Sequence, residues 1–362
     1  MNRKLERIFK QFQVVTEFVS FEELNAGHIN DTFLIKTAQS PNYVLQKLNG
    51  AVFKDGDKLI ANKFLISNHL QVKLAQLPFS EIQRRVLCFV ASKTGDFFYQ
   101  DAARNYWNLS VFIEDSITYE KTPNAEIAYE AGKATGIFLA LTADFKADKL
   151  TSILPDFHSV SKRFLQFKEA LGNTSEERKE QAKELIDFTN SYIDEMLVLD
   201  TAIQLKKLPL RVTHNDTKIS NILFSKDHKA LCLIDTDTVM EGVIHFDYGD
   251  AIRTICNTSD EDCSEINKIE FHFEYFKKYT MGFSKELQQN ISSEELKYLP
   301  ISIQIMPFIM GLRFLTDYLS NDVYYKTNYE HHNFDRSKNQ YTLVQKIKEK
   351  YSEIEDFIES AF

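Results

Sequence analysis

The chain has 362 residues, of which 43% are hydrophobic and 26% are charged. This composition is typical of a globular protein with a large core, and it excludes an intrinsically disordered chain. Lys and Arg total 43 against 52 Asp and Glu, which gives a formal net charge of −9. The acidic balance therefore gives no indication of nucleic acid or of an anionic membrane as a partner.

Cysteine content and hydropathy indicate the compartment. The four cysteines include no C-x-x-C pair, which predicts free thiols in a reducing environment. The segment 1–7 is charged and lacks the apolar region of a signal peptide. The longest apolar run, 301–312, contains Gln304 and Pro307, and at roughly 12 residues it is too short to cross a bilayer. We therefore expect a cytoplasmic protein.

The first hundred residues read mainly as strands. Short apolar or β-branched runs bounded by turn residues predict strands over 18–24, 32–36, 43–48, 83–91 and 96–99. A helical stretch over 58–74 separates the third strand from the fourth, and the turn 92–95 would join the last two as a hairpin. We place the connection between two domains in the aromatic segment 106–114.

After Pro123 the pattern changes to that of helices. Apolar residues at helical spacing predict helices over 125–141, 160–171, 175–199, 264–279, 294–320 and 340–361. A β-like interlude lies within 210–237. The sequence therefore predicts an α+β protein, with a small β-rich domain over 1–110 and a larger, mainly helical domain over 111–362.

The strongest chemical pattern lies within 212–224. His214, Asp216, Lys218 and Asn221 follow the spacing H-x-D-x-K-x-x-N, which matches the catalytic loop H-R-D-x-x-x-x-N of protein kinases. In that interpretation Asp216 accepts the proton of an attacking hydroxyl. Lys218 lies within reach of the transferred phosphoryl group, and His214 orients the loop by hydrogen bonds.

A second acidic residue completes the pattern. Asp235 follows Asp216 by nineteen residues, after a short strand (222–224), a polar turn (225–229) and a return strand (231–234). Such a hairpin would bring Asp235 back beside Asn221. Amide and carboxylate oxygens suit Mg²⁺, so we predict that Asn221 and Asp235 hold Mg²⁺ against the β- and γ-phosphate oxygens of ATP.

These motifs and their flanks resemble those of a known family. The matching stretches, in the family's order, are 27–32, 43–49, 214–221, 234–240, 246–253 and 313–319. The chain resembles the aminoglycoside phosphotransferase-like small-molecule kinases, a branch of the protein-kinase-like fold, and more narrowly the N-acetylhexosamine 1-kinases. The resemblance implies a bilobal protein-kinase-like fold, with a nucleotide-binding N-lobe and a catalytic, substrate-binding C-lobe.

The resemblance also implies an activity. It is the ATP- and Mg²⁺-dependent phosphorylation of the anomeric hydroxyl of N-acetylglucosamine or N-acetylgalactosamine, which yields the sugar 1-phosphate. Asp216 takes the family's base position, and Asn221 and Asp235 take its metal positions. Arg313 matches an arginine near the sugar and the transferred phosphate, where its charge would stabilise the transition state. A structural salt bridge is the alternative role for Arg313.

The family places a loop over the nucleotide phosphates at Gly27, His28, Asn30 and Thr32. This stretch has a single glycine, so an ordinary hairpin turn would have the same composition. With the resemblance, we expect its backbone N–H groups and the side chains of Asn30 or Thr32 to contact phosphate oxygens.

The lysine that kinases carry on their third strand has two possible counterparts here. One alignment places Gln46 at that position, and the other places Lys47 there. Adjacent strand residues face opposite sides, so one of the two faces ATP. In kinases this lysine pairs with a glutamate on the next helix, but we assign no such glutamate in the predicted helix 58–74. Asp250 matches a buried residue that braces the catalytic loop, and the role of Asp237 stays open.

Two alternative functions were weighed against the sugar kinase. The first is a kinase of the same fold that acts on another small alcohol, such as a different sugar, choline or an aminoglycoside. Amino substrates usually require clustered acidic residues, and no such cluster is evident in the helical part of the sequence. The second is a nucleotide-binding regulator, which we would expect to lack one of Asp216, Asn221 and Asp235.

Overall fold

A computed structural model describes residues 1–24 and 29–362 of the chain. These residues form two compact units. The first comprises Met1–Ile117, Leu141–Ile153 and Leu223–Glu241, and the second comprises Thr118–Ala140, Leu154–Ile222 and Gly242–Phe362. Two later segments of the chain therefore return to the first unit. The division at 110/111 stays a prediction.

The regular elements are numbered in chain order. The strands are β1 (Phe18–Glu23), β2 (Asp31–Thr37), β3 (Tyr43–Lys47), β4 (Tyr99–Gln100), β5 (Tyr106–Val111), β6 (Ser116–Ile117), β7 (Arg211–Thr213), β8 (Ile222–Ser225), β9 (Ala230–Leu233) and β10 (Met240–Gly242). The helices are α1 (Asn2–Phe9), α2 (Gly56–Lys73), α3 (Phe79–Arg85), α4 (Ala125–Leu141), α5 (Val160–Asn173), α6 (Glu176–Gln181), α7 (Lys183–Met196), α8 (Val198–Gln204), α9 (Ile244–Ile255), α10 (Phe273–Leu287), α11 (Ser293–Leu319), α12 (His332–Lys348) and α13 (Tyr351–Ala361).

The first unit is built on an antiparallel sheet in the order β1-β2-β3-β5-β4. In β3, Tyr43 and Leu45 are buried in one apolar cluster with Leu5 and Phe9 of α1. The intervening residues of β3 face the other side of the sheet, because side chains alternate along a strand. On that side Gln46 contacts Lys63 of α2. The two faces of β3 are therefore covered by different helices.

The second unit is organised around α11. A capping box closes its first turn, since Ser292 and Glu295 each accept a bond from the other's backbone N–H. By length and composition α11 could cross a membrane, but 83% of its most apolar window is buried inside the structure. Helices α5, α9 and α12 pack against it. This burial is the pattern of a core helix.

Much of the predicted element order is confirmed. The structure has strands at 18–24, 32–36 and 43–48, and helices that match 58–74, 125–141, 160–171 and 294–320 within two residues or so at each end. The hairpin of β8 and β9 is also present, with a turn in which Ser225 N–H donates to Lys229 O at 2.8 Å.

Other element predictions are wrong. Helix α3 covers the start of the strand expected over 83–91. The stretch 264–279 contains a short 3₁₀ turn before α10 begins at Phe273. Two long predicted helices are interrupted: 175–199 becomes α6, α7 and α8, and 340–361 becomes α12 and α13.

Helices α4 and α10 meet through glycines in the second unit. A Cβ on Gly132 would lie 2.0 Å from Tyr279 O, and one on Gly282 would lie 2.1 Å from Tyr129 O. Both clashes are with backbone atoms, which cannot move aside like the end of a flexible side chain. The two helices can therefore approach this closely only because neither position carries a side chain.

We expect Gly132→Ala to destabilise the protein by more than about 2 kcal/mol, because the added methyl group must push two helices apart. The control is Gly172→Ala in α5, where nothing lies within 4 Å of the added carbon. That change should raise stability by up to about 1 kcal/mol through helix propensity. Chemical denaturation of both variants measures the difference. Equal stabilities would contradict the close packing of α4 on α10.

Candidate active site

The loop that carries His214, Asp216 and Asn221 is held by one carboxylate. Asp247 in α9 accepts the backbone N–H of His214 on Oδ2 at 2.8 Å and that of Asn215 on Oδ1 at 2.7 Å. The hydroxyl of Thr217 donates to the Asp247 carbonyl at 2.6 Å. Asn215 has a φ of 65°, a left-handed conformation that is strained for a residue other than glycine. The buried hydrogen bonds keep the loop in this conformation.

The brace was predicted at Asp250, and the structure places it at Asp247. Asp250 lies one turn further along α9 and pairs instead with Arg253, whose Nη2 lies 2.9 Å from Asp250 Oδ1. Arg253 also reaches Glu261 at 3.0 Å. The motif identified the segment that carries the brace, but spacing along the chain did not identify which of its two aspartates faces the loop.

Burial raises the pKa of Asp247 to about 7, and its two backbone hydrogen bonds oppose this rise. The neighbouring carboxylates of Asp250 and Asp216 raise it further. Burial also raises the pKa of Asp250, against the charge of Arg253. Three acidic groups thus influence one another in this part of the second unit.

Asp216 has a different environment. Burial opposes its ionisation, but the charge and hydrogen bond of Lys218 outweigh it and hold the pKa of Asp216 below its ordinary value. Lys218 Nζ lies 2.9 Å from Asp216 Oδ2, and Asn221 Nδ2 donates to the same oxygen at 2.9 Å. Among the described residues no donor bonds to Asp216 Oδ1. An ionised carboxylate with one open oxygen can accept a proton from a bound hydroxyl.

The amide of Asn221 has a defined orientation. Its Nδ2 donates both to the Asp216 carbonyl, at 2.8 Å, and to the Asp216 carboxylate. Because both partners are acceptors, the nitrogen must face them and Oδ1 must occupy the other branch of the amide. No hydrogen bond reaches Oδ1 within the described part of the chain. This oxygen is thus available as a neutral metal ligand.

His158, which belongs to no recognisable sequence motif, also supports the loop. Its Nε2 lies 3.0 Å from the Asn215 carbonyl, so this nitrogen carries the proton and donates. Burial lowers the pKa of His158 to about 3. The charges of Arg313 and Asp216 act on His158 as well, which places both residues near this ring. His214 itself is fully buried, with its ring edge toward Phe138.

Arg313 of α11 lies over two aromatic rings. Its guanidinium carbon is 5.1 Å from the ring centre of Phe157 and 5.7 Å from that of Tyr325. No carboxylate lies within ion-pair distance of Arg313 in the described residues. The arrangement therefore differs from the structural salt bridge that was the alternative, and the cation is held by stacking with its donors largely unused.

A second guanidinium lies close to the first. Arg163 donates to the Phe157 carbonyl at 2.9 Å and to Gln166 at 2.9 Å. Burial, and then the charge of Arg313, lower the pKa of Arg163 to about 10. Neither Arg163 nor Phe157 was selected from the sequence, because both belong to a stretch without a recognisable motif.

The loop after α11 contributes the aromatic residues. Asp317 accepts the backbone N–H groups of Val323 at 3.0 Å, Tyr324 at 2.8 Å and Tyr325 at 2.9 Å. This carboxylate therefore holds Tyr325 beside Arg313. The Tyr325 hydroxyl is buried and has no hydrogen-bond partner in the described residues, so it is a polar group available to a ligand.

The predicted nucleotide-binding residues belong to the first unit. Gly27 and His28 lie outside the described residues. Asn30 donates from Nδ2 to the Asp237 carboxylate and accepts the Asn49 N–H on Oδ1 at 2.8 Å. Thr32 lies directly opposite Gln46 in the pairing of β2 with β3, so their side chains share one face of the sheet.

Gln46 and Lys47 have separate environments. Gln46 faces α2 and accepts a hydrogen bond from Lys63 Nζ at 2.8 Å. Lys47 lies on the opposite face of β3 and pairs with Asp31 at 2.8 Å, with 30% of its side chain exposed. The structure thus places Gln46, and not Lys47, beside the helix that follows β3.

Asp235 lies two residues after the end of β9 and belongs to the first unit. Its φ of 57° is left-handed, a conformation that aspartate tolerates better than most residues and that is common at functional sites. Asp237, whose role the sequence left open, is buried and pairs with Lys63 at 2.5 Å. In the described part of the chain no group of three or more His, Cys, Asp or Glu side chains could hold a metal ion.

Comparison with known proteins decides the family. The model of the phosphotransferase enzyme family matches residues 20–277, which is well over half of the chain. The chain belongs to the phosphotransferase enzyme family. This phosphotransferase therefore carries the loop described above in the part of the chain that the family shares.

Solved structures confirm the predicted protein-kinase-like fold. An aminoglycoside phosphotransferase from Alicyclobacillus acidocaldarius is 12% identical, with 98% of this chain and 96% of that chain covered and a TM-score of 0.63. A choline kinase from Cryptosporidium parvum is 15% identical, with 97% and 96% covered and a TM-score of 0.57. An amicoumacin kinase is 13% identical, with 95% and 93% covered and a TM-score of 0.58. These identities show the fold alone.

The lowered pKa of His158 predicts a pH dependence of stability. The unfolded chain takes up a proton near pH 6.5 and the folded chain only near pH 3, so stability is lost as the pH falls below 6.5. Between pH 7.5 and 5, this group alone should cost about 2 kcal/mol. His158→Gln keeps an N–H donor but does not titrate. Its free energy of unfolding should therefore fall less over this pH range than that of the wild type, as measured by urea denaturation at both pH values. Parallel pH profiles would contradict the buried, neutral state of His158.

Proposed function

We propose that this phosphotransferase transfers the γ-phosphoryl group of ATP to the anomeric hydroxyl of an N-acetylhexosamine, forming the sugar 1-phosphate. The observation that carries the phosphoryl transfer is the braced loop: Asp247 holds the backbone, and Asp216 is ionised with one carboxylate oxygen open. The family membership supports a phosphotransferase, and the neighbouring fold members include small-molecule kinases.

The chemistry assigned to the loop is an in-line displacement. The acceptor hydroxyl oxygen forms a bond to the γ-phosphorus, the bond from that phosphorus to the bridging oxygen of ADP breaks, and the hydroxyl proton passes to Asp216 Oδ1. Lys218 keeps Asp216 ionised, and its place in the motif assigns it to the transferred phosphoryl group. Arg313 would balance the negative charge that develops on that group.

The sequence motif assigns Asn221 and Asp235 to Mg²⁺, which would neutralise phosphate charge. The oriented amide of Asn221 fits this role, because its oxygen is the atom left without a hydrogen bond. A related amicoumacin kinase was solved with AMP-PNP and Ca²⁺, which supports a nucleotide and a divalent cation as the partners of this fold.

The acceptor is proposed from the charges around it. Arg313 and Arg163 are close enough for one to lower the pKa of the other, and Arg313 has no acidic partner in the described residues. Two guanidinium groups repel a quaternary ammonium or a polyamine, and they suit the hydroxyl and acetamide oxygens of a neutral sugar. Tyr325, stacked beside Arg313, adds an aromatic face and an unpaired hydroxyl.

An amino alcohol is the second candidate acceptor, because the solved structures of this fold include kinases of aminopropanol, ethanolamine and choline. The local positive charge argues against it. A neutral polyol other than a hexosamine would use the same catalytic residues. The assay below separates these possibilities.

The first test is ADP release in Mg²⁺ with N-acetylglucosamine, N-acetylgalactosamine, glucose, galactose, choline and kanamycin. We expect turnover with the N-acetylated sugars and none with their 1-O-methyl glycosides, because methylation removes the attacking hydroxyl. Turnover of the methyl glycosides would place the phosphate on another hydroxyl. Activity on choline or kanamycin alone would reject the sugar acceptor while keeping the catalytic loop.

The second test is Asp216→Asn, which keeps the size of the side chain but removes the proton acceptor. We expect kcat to fall by about 100-fold or more, while calorimetry shows ATP–Mg²⁺ binding close to that of the wild type. Asp194→Asn on the exposed face of α7 is the matched control for the same chemical change. Wild-type turnover in Asp216→Asn would reject Asp216 as the base.

A further inference from the structure

The first unit contains a buried cation that the sequence pattern does not assign. Lys63 of α2 has 4% of its side chain exposed and lies 2.5 Å from the equally buried Asp237 carboxylate. Its Nζ also donates to Gln46 Oε1 at 2.8 Å, and Phe89 lies 5.6 Å away. A buried ammonium that had lost its partners would be costly. The position of Lys63 is therefore closely defined by Asp237 and Gln46.

Lys63 determines which way the Gln46 amide points. Gln46 Oε1 accepts hydrogen bonds from Lys63 Nζ and from Asn108 Nδ2, the latter at 3.2 Å. A lysine ammonium can only donate, so the atom facing it must be the oxygen. A flipped amide would direct N–H groups at two donors. The Gln46 Nε2 group thus points away from Lys63, and no acceptor in the described residues bonds to it.

This arrangement reverses the usual placement of charge in a kinase. Kinases carry a lysine on the third strand and a glutamate on the following helix. Here the strand carries the neutral Gln46, and the helix carries the cation Lys63. Helix α2, Gly56–Lys73, contains no glutamate in its sequence. The carboxylate that neutralises Lys63 comes instead from Asp237, two residues after Asp235.

We propose that Lys63 is a positioning residue for nucleotide binding: it holds the Gln46 amide so that the N–H pair of Gln46 donates to a phosphate oxygen of the nucleotide. This inference rests on the proposed kinase function and deepens it. The bond from the ammonium to Oε1 polarises the amide, and such polarisation strengthens the N–H donors on its other end. Strand β3 thus supplies a neutral hydrogen-bond donor, the Gln46 amide, and the positive charge lies on Lys63 of α2, on the other side of that amide.

The location of Lys47 agrees with this assignment. It shares the face of β3 that carries Tyr43 and Leu45, which pack on α1, and it forms an exposed ion pair with Asp31. Thr32, by contrast, lies opposite Gln46 and shares its face. Thr32 and Gln46 are therefore neighbouring polar side chains on the face of the sheet toward α2.

The decisive variant is Gln46→Glu. A carboxylate can still accept hydrogen bonds from Lys63 and Asn108, so the melting temperature should equal or exceed that of the wild type. The substitution, however, replaces the Nε2 amino group, which points away from Lys63, by a carboxylate oxygen. A negative charge would then face the phosphate. We expect the Kd for ATP–Mg²⁺, measured by calorimetry, to rise by at least about tenfold. Gln100→Glu, an exposed change of the same kind in β4 of the same sheet, should leave it unchanged.

A pair of changes tests the role of Lys63. Lys63→Gln removes the charge behind Gln46 and should weaken ATP–Mg²⁺ binding. Adding Gln46→Lys to that variant moves the cation onto the strand, in the arrangement of an ordinary kinase, and should recover the lost affinity. Recovery of ATP–Mg²⁺ affinity in the double variant would support the reversed arrangement. If the Lys63–Asp237 pair had a purely structural role, the second substitution should instead lower the affinity further.

Three results would overturn the inference. They are wild-type ATP affinity in Gln46→Glu, a lower melting temperature of that variant than of the wild type, or a larger loss of ATP affinity in Lys47→Gln than in Gln46→Glu. The proposed function fails in a different way. It fails where the wild-type protein itself does not bind ATP–Mg²⁺ or release ADP with any acceptor.

Discussion

The loop that carries His214, Asp216 and Asn221 depends on the carboxylate of Asp247. Two consecutive backbone N–H groups, those of His214 and Asn215, point at its two oxygens, and Asn215 adopts a left-handed backbone conformation to allow this. Buried N–H groups must be paired, so the loop retains this shape only while Asp247 stays in place. Because α9 carries Asp247, and α9 packs on the core helix α11, the position of Asp216 is determined by the packing of the second unit.

The same packing decides how charge is distributed around the loop. Asp247 and Asp250 are buried, and burial raises the pKa of each, whereas Lys218 keeps the pKa of Asp216 low. Of these acids, Asp216 is therefore the one whose environment favours the ionised form that a general base requires. Arg313 and Arg163 add positive charge, held by aromatic stacking and by a backbone carbonyl. A cluster of positive charge of this kind favours a ligand that is neutral or oxygen-rich.

The α+β class, several of the helices and the segment that forms the braced loop could be predicted from the sequence, because helical periodicity and the spacing from His214 to Asn221 are local signals. Contacts between distant segments could not. The motif pointed to Asp250 as the brace, and only the rotation of α9 shows that Asp247 faces the loop. His158, Arg163 and Phe157 precede the loop by some fifty residues and carry no motif, so nothing local indicated that they meet Arg313.

The choice between Gln46 and Lys47 also depends on contacts that local sequence signals do not reveal. Strand alternation established that one of the two side chains faces α2, but not which one, because a one-residue shift of register exchanges the faces. Tyr43 and Leu45 in the apolar cluster remove this ambiguity. A search for a kinase ion pair would still have failed, since it seeks a lysine on the strand and an acid on the helix. A phosphate-binding site of this kind requires a hydrogen-bond donor in a defined position. It also requires a nearby positive charge that is itself paired with a carboxylate. Gln46, Lys63 and Asp237 meet that requirement with the residue types exchanged between strand and helix, so the arrangement is recognised by its contacts and not by its motif.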